Sequence, residues 1–304
     1  MFGPTAVGKS DTLASVLDPR FEVISADSMQ VYRSMDIGTA KPPAELRRAL
    51  PHHLIDVVDP SSQFNAGEFV KSAQNLAACI AQRGKVPVVS GGTAFYITSF
   101  LYGLPESPPS DPETRARIRA MARELELGAL HGVLKERDPE AAARIQPNDV
   151  YRISRALEVL ESTGESLFSF RWPRTLREDF RFLLIGLDRD REELFDRIDR
   201  RVDSMFAAGL LDEVKGLLAM GYTAVDPGMR GIGYREILSM RTGCETLAGT
   251  RDLIKRNSRR YAKRQLTFFR AVAGVRWFHP REREAIRDAL DRFVGSAAPL
   301  DHPA

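Results

Sequence analysis

A glycine-rich segment at residues 3–10, Gly-Pro-Thr-Ala-Val-Gly-Lys-Ser, constrains the fold more than any other feature of the chain. The spacing Gly-x-x-x-x-Gly-Lys-Ser lets consecutive backbone N–H groups turn inward around a phosphate, and a following helix adds the positive end of its dipole. Lys9 supplies a compact cation, and the Ser10 hydroxyl can ligate a Mg²⁺ ion that bridges phosphate oxygens. The residues predicted to bind phosphate, in a segment called the phosphate loop below, are Gly3, Thr5, Ala6, Val7, Gly8, Lys9 and Ser10.

Short β-rich runs alternate with helical patterns through the first third of the chain. Residues 21–26 and 86–90 have the apolar composition of buried strands, and residues 53–58 form a weaker run. Between them, residues 66–83 carry apolar side chains at helical spacing, and Gly84 ends the pattern. This alternation predicts an α/β fold with a parallel sheet and helices on its faces.

The pattern changes at the proline-rich residues 105–112, and from there to about residue 164 the apolar spacing is helical. An apolar strand pattern resumes at residues 182–187, and helices follow to the end of the chain. We therefore predict a P-loop NTPase-like parallel-sheet core of residues 1–107 and 181–304 with C-terminal helices. A helical insertion at residues 108–180 interrupts this core.

Composition excludes several classes of protein. No stretch approaches the about 20 consecutive apolar residues of a transmembrane helix, and residues 3–10 are too polar for the core of a signal peptide. Two cysteines, Cys79 and Cys244, cannot build a disulfide framework or a cysteine-rich zinc site. We expect a cytoplasmic monomer that does not associate with membranes.

Positive charge is concentrated in one predicted helix. Residues 251–270 contain eight Lys or Arg and one acid, so this segment carries +7 although the whole chain carries only +3. Solvated helices usually mix charges of both signs, and a face this basic favours contact with a nucleic acid.

The phosphate loop does not by itself define the reaction. A small-molecule kinase, a nucleotide-driven motor and a transferase with a pyrophosphate-ester donor would all use it. A motor usually has an acid at the end of a second apolar strand, but Gly91, Gly92 and Thr93 follow residues 86–90. The acid is Asp27, after residues 21–26, where it suits a base acting on an acceptor group. This favours group transfer over hydrolysis and leaves both a kinase and a transferase open.

Several further segments, distributed in order along nearly the whole chain, carry a family resemblance. They are residues 25–33 (Ser-Ala-Asp-Ser-Met-Gln-Val-Tyr-Arg), 35–42 (Met-Asp-Ile-Gly-Thr-Ala-Lys-Pro), 91–93, 147–149 with 152–159, 231–235 and 262–265. Together they resemble the bacterial tRNA dimethylallyltransferase (isopentenyltransferase) family. The resemblance implies transfer of a dimethylallyl group from dimethylallyl diphosphate to N6 of an adenosine in the tRNA anticodon loop, with Mg²⁺ as cofactor.

The resemblance also implies roles for particular residues. Asp27 would be the general base, and Lys9, Thr93 and Arg201 would complete the catalytic set. The helical insertion would grip the anticodon stem. The residues implied to contact tRNA are Asp27, Ser28, Met29, Gln30, Thr93, Arg115, Tyr151, Arg152, Ile153, Ser154, Arg155, Arg230, Gly233, Tyr234, Arg235, Lys263, Arg264, Gln265 and Arg270. An ATP-dependent small-molecule kinase remains the alternative, and a non-enzymatic RNA-binding protein is a more distant one.

A final prediction concerns the strand that normally delivers a phosphate loop to the edge of a sheet. Such a strand is usually central and about five residues long, whereas Met1 and Phe2 precede Gly3 here. We expect upstream in-frame codons to encode several apolar, β-prone residues. A chain extended by them should express better and bind dimethylallyl diphosphate more tightly than one that begins at Met1. A stop codon immediately upstream, or equal stability and activity of the two chains, would contradict this expectation.

Overall fold

The phosphate loop lies at the carboxyl ends of the strands of a parallel sheet. These strands come from distant parts of the chain. Strand β1 (Phe21–Ser25) lies between β2 (His52–His53) and β3 (Val86–Ser90), and all three are parallel. A second pair consists of β4 (Ile185–Leu187) and β5 (Arg276–Phe278), also parallel. This arrangement confirms the predicted α/β class with a parallel sheet.

Phe2 joins the two groups of strands. It forms parallel bridges with Gly91, just after β3, and with Gly186 in β4. Its N–H donates to the Ile185 carbonyl at 2.9 Å, and its own carbonyl accepts from the Leu187 N–H at 2.8 Å. Phe2 thus occupies the central position of the sheet, directly before the phosphate loop.

Met1 and Phe2 also border an apolar cavity of about 130 Å³, whose other walls include residues 86–89 and 180–185. The Met1 amino group donates to the Val89 carbonyl at 2.8 Å at this cavity. Whether residues upstream of Met1 pair here is not tested by these contacts, so that expectation stays a prediction.

This computed structural model describes residues 1–105, 107, 111–125, 128–241, 243 and 246–296. It divides into an α/β unit, Met1–Leu101 with Glu178–Ala304, and a helical unit, Tyr102–Arg177. The division falls six residues before the predicted boundary at 107/108 and three residues before that at 180/181. No helix among the described residues is long and apolar enough to cross a bilayer.

Helices pack around the sheet in the α/β unit. They are α1 (Lys9–Val16), α2 (Ala44–Ala49), α3 (Ala66–Gln82), α4 (Ala94–Tyr102), α9 (Arg191–Ala207), α10 (Leu210–Ala219), α11 (Tyr234–Arg241), α12 (Leu247–Arg270) and α13 (Arg283–Gly295). The predicted helix at 66–83 is confirmed as α3. It begins at a capping box, in which the Glu68 N–H donates to the Asn65 side chain and the Glu68 carboxylate accepts the Asn65 N–H.

The helical unit contains α5 (Pro112–Glu124), α6 (Ala129–Arg137), α7 (Pro139–Arg144) and α8 (Val150–Thr163). The predicted helix start at Asp111-Pro112 is confirmed, since the Asp111 side chain accepts the Glu113 and Thr114 N–H groups at 2.9 Å. The core of this unit includes Ile118, Leu134 and Ile153, each fully buried.

Two predicted strands differ from the observed ones. The weak run at 53–58 pairs with β1 only at its start, in β2, because Leu54 and Asp56 adopt positive φ angles of 60° and 58° that end the extended backbone. Val58 forms a separate parallel bridge with Tyr32. The run at 182–187 pairs only over Ile185–Leu187.

A buried carboxylate connects β1 to its neighbours. The Glu22 side chain, only 5% exposed, lies 2.7 Å from His53 Nε2, 2.7 Å from Arg83 and 3.0 Å from Lys85. Burial alone would raise the pKa of Glu22, but the hydrogen bonds from His53, Lys85 and Arg83 outweigh it and lower the pKa to about 2.

We expect Glu22→Gln to lower the free energy of unfolding at neutral pH by about 2 kcal/mol, less than for a fully enclosed pair because the partners reach solvent. Since the folded-state pKa of about 2 lies below the ordinary 4.5, the wild-type contribution is present above pH 4.5 and is lost as the pH falls toward 2. Urea unfolding between pH 2 and 7 should therefore show a flatter acid limb for Glu22→Gln. Glu45→Gln, at a side chain 79% exposed, is the control. Parallel acid limbs in Glu22→Gln and the wild type would contradict the assignment.

Candidate active site

The phosphate loop is shaped by contacts to its carbonyl groups. Gly8, at the start of α1, has a φ of 108°, a conformation that favours glycine. Arg189 Nε donates to the Val7 carbonyl at 2.6 Å, and Arg197 Nε donates to the Ala6 carbonyl at 2.9 Å. These two arginines hold the phosphate loop through its carbonyl groups. The sequence prediction missed both, because nothing in a linear pattern relates residues almost 200 positions apart.

Lys9, Asp27 and Arg201 share one electrostatic environment, as predicted for three of the catalytic residues. Lys9 Nζ donates to the carbonyls of Gly3 at 2.9 Å and Pro4 at 2.8 Å. Burial lowers the pKa of Lys9 to about 8, a shift that Asp27 opposes and Arg201 adds to. Burial also lowers the pKa of Arg201, again against the effect of Asp27. Two cations held close together against one carboxylate make a region suited to a multiply charged anion.

A cavity of about 40 Å³ opens beside Lys9 and Asp27. Its walls include Lys9, Ser10, Leu13, Val23, Ser25, Asp27, Gln30, Pro42, His52, Ser90 and Gly91. It lies at the carboxyl ends of β1 and β3, where open parallel sheets bind their ligands. The 130 Å³ cavity described above is larger but lined mainly by apolar side chains, so the smaller cavity is the candidate active site.

The loops that follow β1 and β3 are bonded to each other at this cavity. Asp27 Oδ1 accepts the Met29 N–H at 3.0 Å, so one carboxylate oxygen has a structural contact. Thr93 Oγ1 accepts the Ser28 N–H at 2.8 Å and donates to Ser28 Oγ at 3.1 Å. The predicted residues Asp27, Ser28 and Thr93 therefore lie together.

Gln265 connects this site to α12. Its Oε1 accepts the Thr5 N–H at 2.8 Å, and its Nε2 donates to the Gly92 carbonyl at 2.5 Å. One turn earlier, Tyr261 interacts with Thr93 and Gln265, and burial together with the nearby Asp27 charge raises its pKa to about 12. Sequence reasoning missed Tyr261, although its position four residues before Gln265 places both on one face of a helix.

Four residues predicted to contact tRNA are buried: Ile153, Gly233, Tyr234 and Gln265. Ile153 and Tyr234 are 0% exposed and Gln265 is 4% exposed. These side chains present little or no surface, and their predicted contact with tRNA stays a prediction. Ile153 packs in the helical unit, Tyr234 bonds to Glu213, and Gln265 holds the phosphate loop. Hydrophobic spacing within a helix does not reveal such internal polar contacts.

The other predicted tRNA residues, Asp27 among them, retain exposed surface. Those with exposed side chains are Arg115, Tyr151, Arg152, Arg230, Arg235, Lys263, Arg264 and Arg270. Ser28, Met29, Gln30, Thr93, Ser154 and Arg155 are half-buried. Arg115 and residues 151–155 belong to the helical unit, and their contact with tRNA stays a prediction.

The positive charge of α12 falls into two sets. Lys255 pairs with Asp203 at 2.8 Å, and Arg259 pairs with Asp199 at 2.6 Å, so both are neutralised by α9. A second set, called the basic stripe below, is exposed and has no salt bridge within the described ranges. The basic stripe consists of Arg256, Arg260, Lys263 and Arg264.

The parallel sheet and the phosphate loop before α1 define a P-loop NTPase-like fold, in which an acid, Asp27, follows the neighbouring strand β1. The family model for IPP transferase matches residues 30–272, and the chain belongs to this family. It is 46% identical over 281 residues to a tRNA dimethylallyltransferase of Alkaliphilus oremlandii, covering 91% of this chain and 89% of the relative. A tRNA dimethylallyltransferase of Geobacter metallireducens is 47% identical over 295 residues, covering 96% and 95% of the two chains.

Solved structures agree with this assignment. The tRNA isopentenylpyrophosphate transferase from Bacillus halodurans superimposes with a TM-score of 0.72 and 39% identity over 99% of this chain and 98% of that one. A eukaryotic dimethylallyltransferase acting on tRNA gives a TM-score of 0.78 and 27% identity over 99% of this chain and 80% of that one. The predicted family and the P-loop NTPase-like fold are therefore confirmed.

If α12 contacts RNA, replacing the four residues of the basic stripe with Gln should weaken tRNA binding and reduce its salt dependence. The log–log slope of affinity against salt should shrink by nearly one unit for each lost phosphate contact. Filter binding at several salt concentrations measures this slope. The double variant Lys255→Gln, Arg259→Gln is the matched control on the same helix: it loses ion pairs to α9 and should keep the slope. Equal slopes in the stripe variant and the wild type would show that this face does not bind RNA.

Proposed function

We propose that this protein transfers a dimethylallyl group from dimethylallyl diphosphate to N6 of an adenosine in the anticodon loop of tRNA and releases pyrophosphate. The observation that carries this proposal is the cavity at which Lys9, Ser10 and Asp27 meet. It combines a phosphate-binding loop with a carboxylate on the acceptor side, as a transfer reaction requires. Membership of the IPP transferase family and relatives named tRNA dimethylallyltransferases support the same reaction.

The donor would bind with its diphosphate in the phosphate loop. The N–H groups at the start of α1 and the cations of Lys9 and Arg201 then face the leaving group. Negative charge grows on the diphosphate as the allylic C–O bond breaks, so these groups stabilise the transition state more than the ground state. A pKa of about 8 keeps most Lys9 side chains protonated at neutral pH.

The residues at the cavity fit a Mg²⁺ ion that is shared with the diphosphate. Ser10 provides a hydroxyl ligand in the cavity wall. Within the described residues no group of three or more His, Cys, Asp or Glu could hold a metal by itself. Mg²⁺ commonly keeps several waters and binds through few protein groups plus substrate phosphates, so Ser10 would hold it together with the diphosphate. When bound, the ion neutralises charge on the leaving pyrophosphate.

Asp27 would act on the acceptor. The exocyclic N6 of adenine is a weak nucleophile because its lone pair is delocalised into the ring. The Asp27 carboxylate accepts the N6 proton as the new C–N bond forms. The adenine must leave the stack of bases in the anticodon loop to reach the cavity. The basic stripe would position the RNA backbone for this movement.

A tRNA substrate also implies where and how the protein works. We propose that it acts in the cytoplasm, where tRNA is modified. One chain supplies the phosphate loop, Asp27 and the basic stripe, so we propose that it acts as a monomer.

An ATP-dependent small-molecule kinase is not favoured, since the relatives are named as transferases acting on tRNA. One experiment separates the two functions. The protein is incubated with Mg²⁺, unmodified tRNA and either labelled dimethylallyl diphosphate or γ-labelled ATP. Label transfer from the diphosphate ester to tRNA supports the proposal, whereas transfer from ATP to a small hydroxyl compound supports the kinase.

We expect Asp27→Asn to retain donor binding and to slow the chemical step by roughly 100-fold or more. The substitution preserves an oxygen that can accept the Met29 N–H, so the loop should keep its shape. Lys9→Ala should instead weaken donor binding and abolish turnover together, because it removes a cation from the ground and transition states alike. Single-turnover kinetics with saturating donor distinguish the two effects. Weak donor binding with a normal rate at saturation in Asp27→Asn would refute its role as the base.

A further inference from the structure

The Glu213 side chain, on α10, binds a loop that reaches the active site. Its Oε2 accepts the N–H groups of Asp36 and Ile37, both at 2.7 Å. Its Oε1 accepts the Gly38 N–H at 3.0 Å and the Tyr234 hydroxyl at 2.6 Å. Three consecutive backbone N–H groups thus converge on one carboxylate, which is how short backbone segments bind anions.

Tyr234 contacts both the Glu213 carboxylate and the loop that it binds. Burial and then the Glu213 charge raise the pKa of its phenol, so Tyr234 stays protonated and donates to the carboxylate. The backbone at Gly38 approaches the Tyr234 ring so closely that an added Cβ would lie 2.6 Å from it. Any larger residue would force the loop away from α11.

The other side of the same loop forms part of the active-site wall. Gln30 Nε2 donates to the carbonyls of Thr39 and Ala40, each at 3.3 Å. Gln30 and Pro42 then line the cavity that also contains Asp27. A displacement of residues 36–38 would therefore be transmitted within a few residues to the wall of the cavity.

The phosphate loop is held by different groups. Its carbonyls bond to Arg189 and Arg197, and its Thr5 N–H bonds to Gln265. The hydrogen bonds of Glu213 within the described residues go to the loop at 36–38 and to Tyr234. The donor and acceptor sides of the cavity thus depend on separate anchors.

We propose that Glu213 is a positioning residue for the acceptor half of the site: it fixes the loop at residues 36–42 so that Gln30 and Pro42 hold the acceptor base against Asp27. This inference rests on the proposed function. It assigns Glu213 no contact with either substrate. Its loss should therefore impair use of tRNA while donor binding persists.

The test is Glu213→Gln in the full-length protein. Its side-chain NH2 would face N–H or O–H donors where an oxygen accepts them now, so the loop should loosen. We expect kcat/KM for tRNA to fall about 10- to 100-fold, the size of effect that small misplacements of reacting groups produce. The dissociation constant for dimethylallyl diphosphate should change less than about twofold, a difference within the ordinary effect of a distant substitution. Hydrogen exchange should accelerate at residues 36–38 and remain unchanged at residues 3–10.

Asp212→Asn is the matched control. Asp212 precedes Glu213 in the chain, but its carboxylate is 79% exposed and contacts Lys215 on the surface. It should leave all three measurements unchanged. Tyr234→Phe removes a single donor and keeps the ring, so it should shift the same measurements less far and provides a milder test if Glu213→Gln folds poorly.

Equal losses of donor and tRNA binding would overturn the inference, because Glu213 would then serve general stability. Faster exchange at residues 36–38 with unchanged use of tRNA would also overturn it. If the wild-type protein transfers no label to tRNA, the proposed function fails. If the wild type transfers label and Glu213→Gln matches it, only the role of Glu213 fails.

Discussion

The backbone pairing of Phe2 is the contact on which the rest of the site depends. Its hydrogen bonds to Ile185 and Leu187 and its bridge to Gly91 join strands that the helical unit separates in sequence. Phe2 is 2% exposed and stacks on Phe269 of α12 at a ring distance of 4.7 Å. Phe2 therefore sets the position of the phosphate loop relative to β3, β4 and α12. The ends of the parallel strands and the start of α1 meet at one edge as a consequence.

Charged side chains surround that edge and hold the phosphate loop. Arg189 and Arg197 contact the loop through its carbonyls, Lys9 lies in the cavity wall, and Arg201 interacts electrostatically with Lys9 and Asp27. The Asp27 carboxylate raises the pKa of both Lys9 and Arg201 and so offsets part of the repulsion between these two cations. Enclosure by protein weakens the screening by water, so the attraction between these cations and a carboxylate is stronger here than in bulk solvent.

The acceptor side is built from a different kind of interaction. Backbone N–H groups at residues 36–38 converge on Glu213, and the side-chain amide of Gln30 bonds to carbonyls of the same loop. These polar contacts hold irregular backbone, which lacks the repeating hydrogen bonds of helices and strands. Such loops can approach a large substrate while the phosphate loop stays fixed by its own arginines.

The sequence alone determined the elements whose signal is local. The spacing of residues 3–10 predicted the phosphate loop, the apolar periodicity predicted α3, and Asp111-Pro112 predicted the start of α5. Short-range patterns suffice there because caps, turns and amphipathic faces depend on neighbours in the chain. Only the tertiary structure decided which charges of α12 are paired, since the partners of Lys255 and Arg259 lie on α9. It also decided that Tyr234 and Gln265 face inward, and that Arg189, Arg197 and Glu213 position the loops. Each of these depends on contacts between residues far apart in the chain, and those contacts exist only after the sheet has brought its strands together.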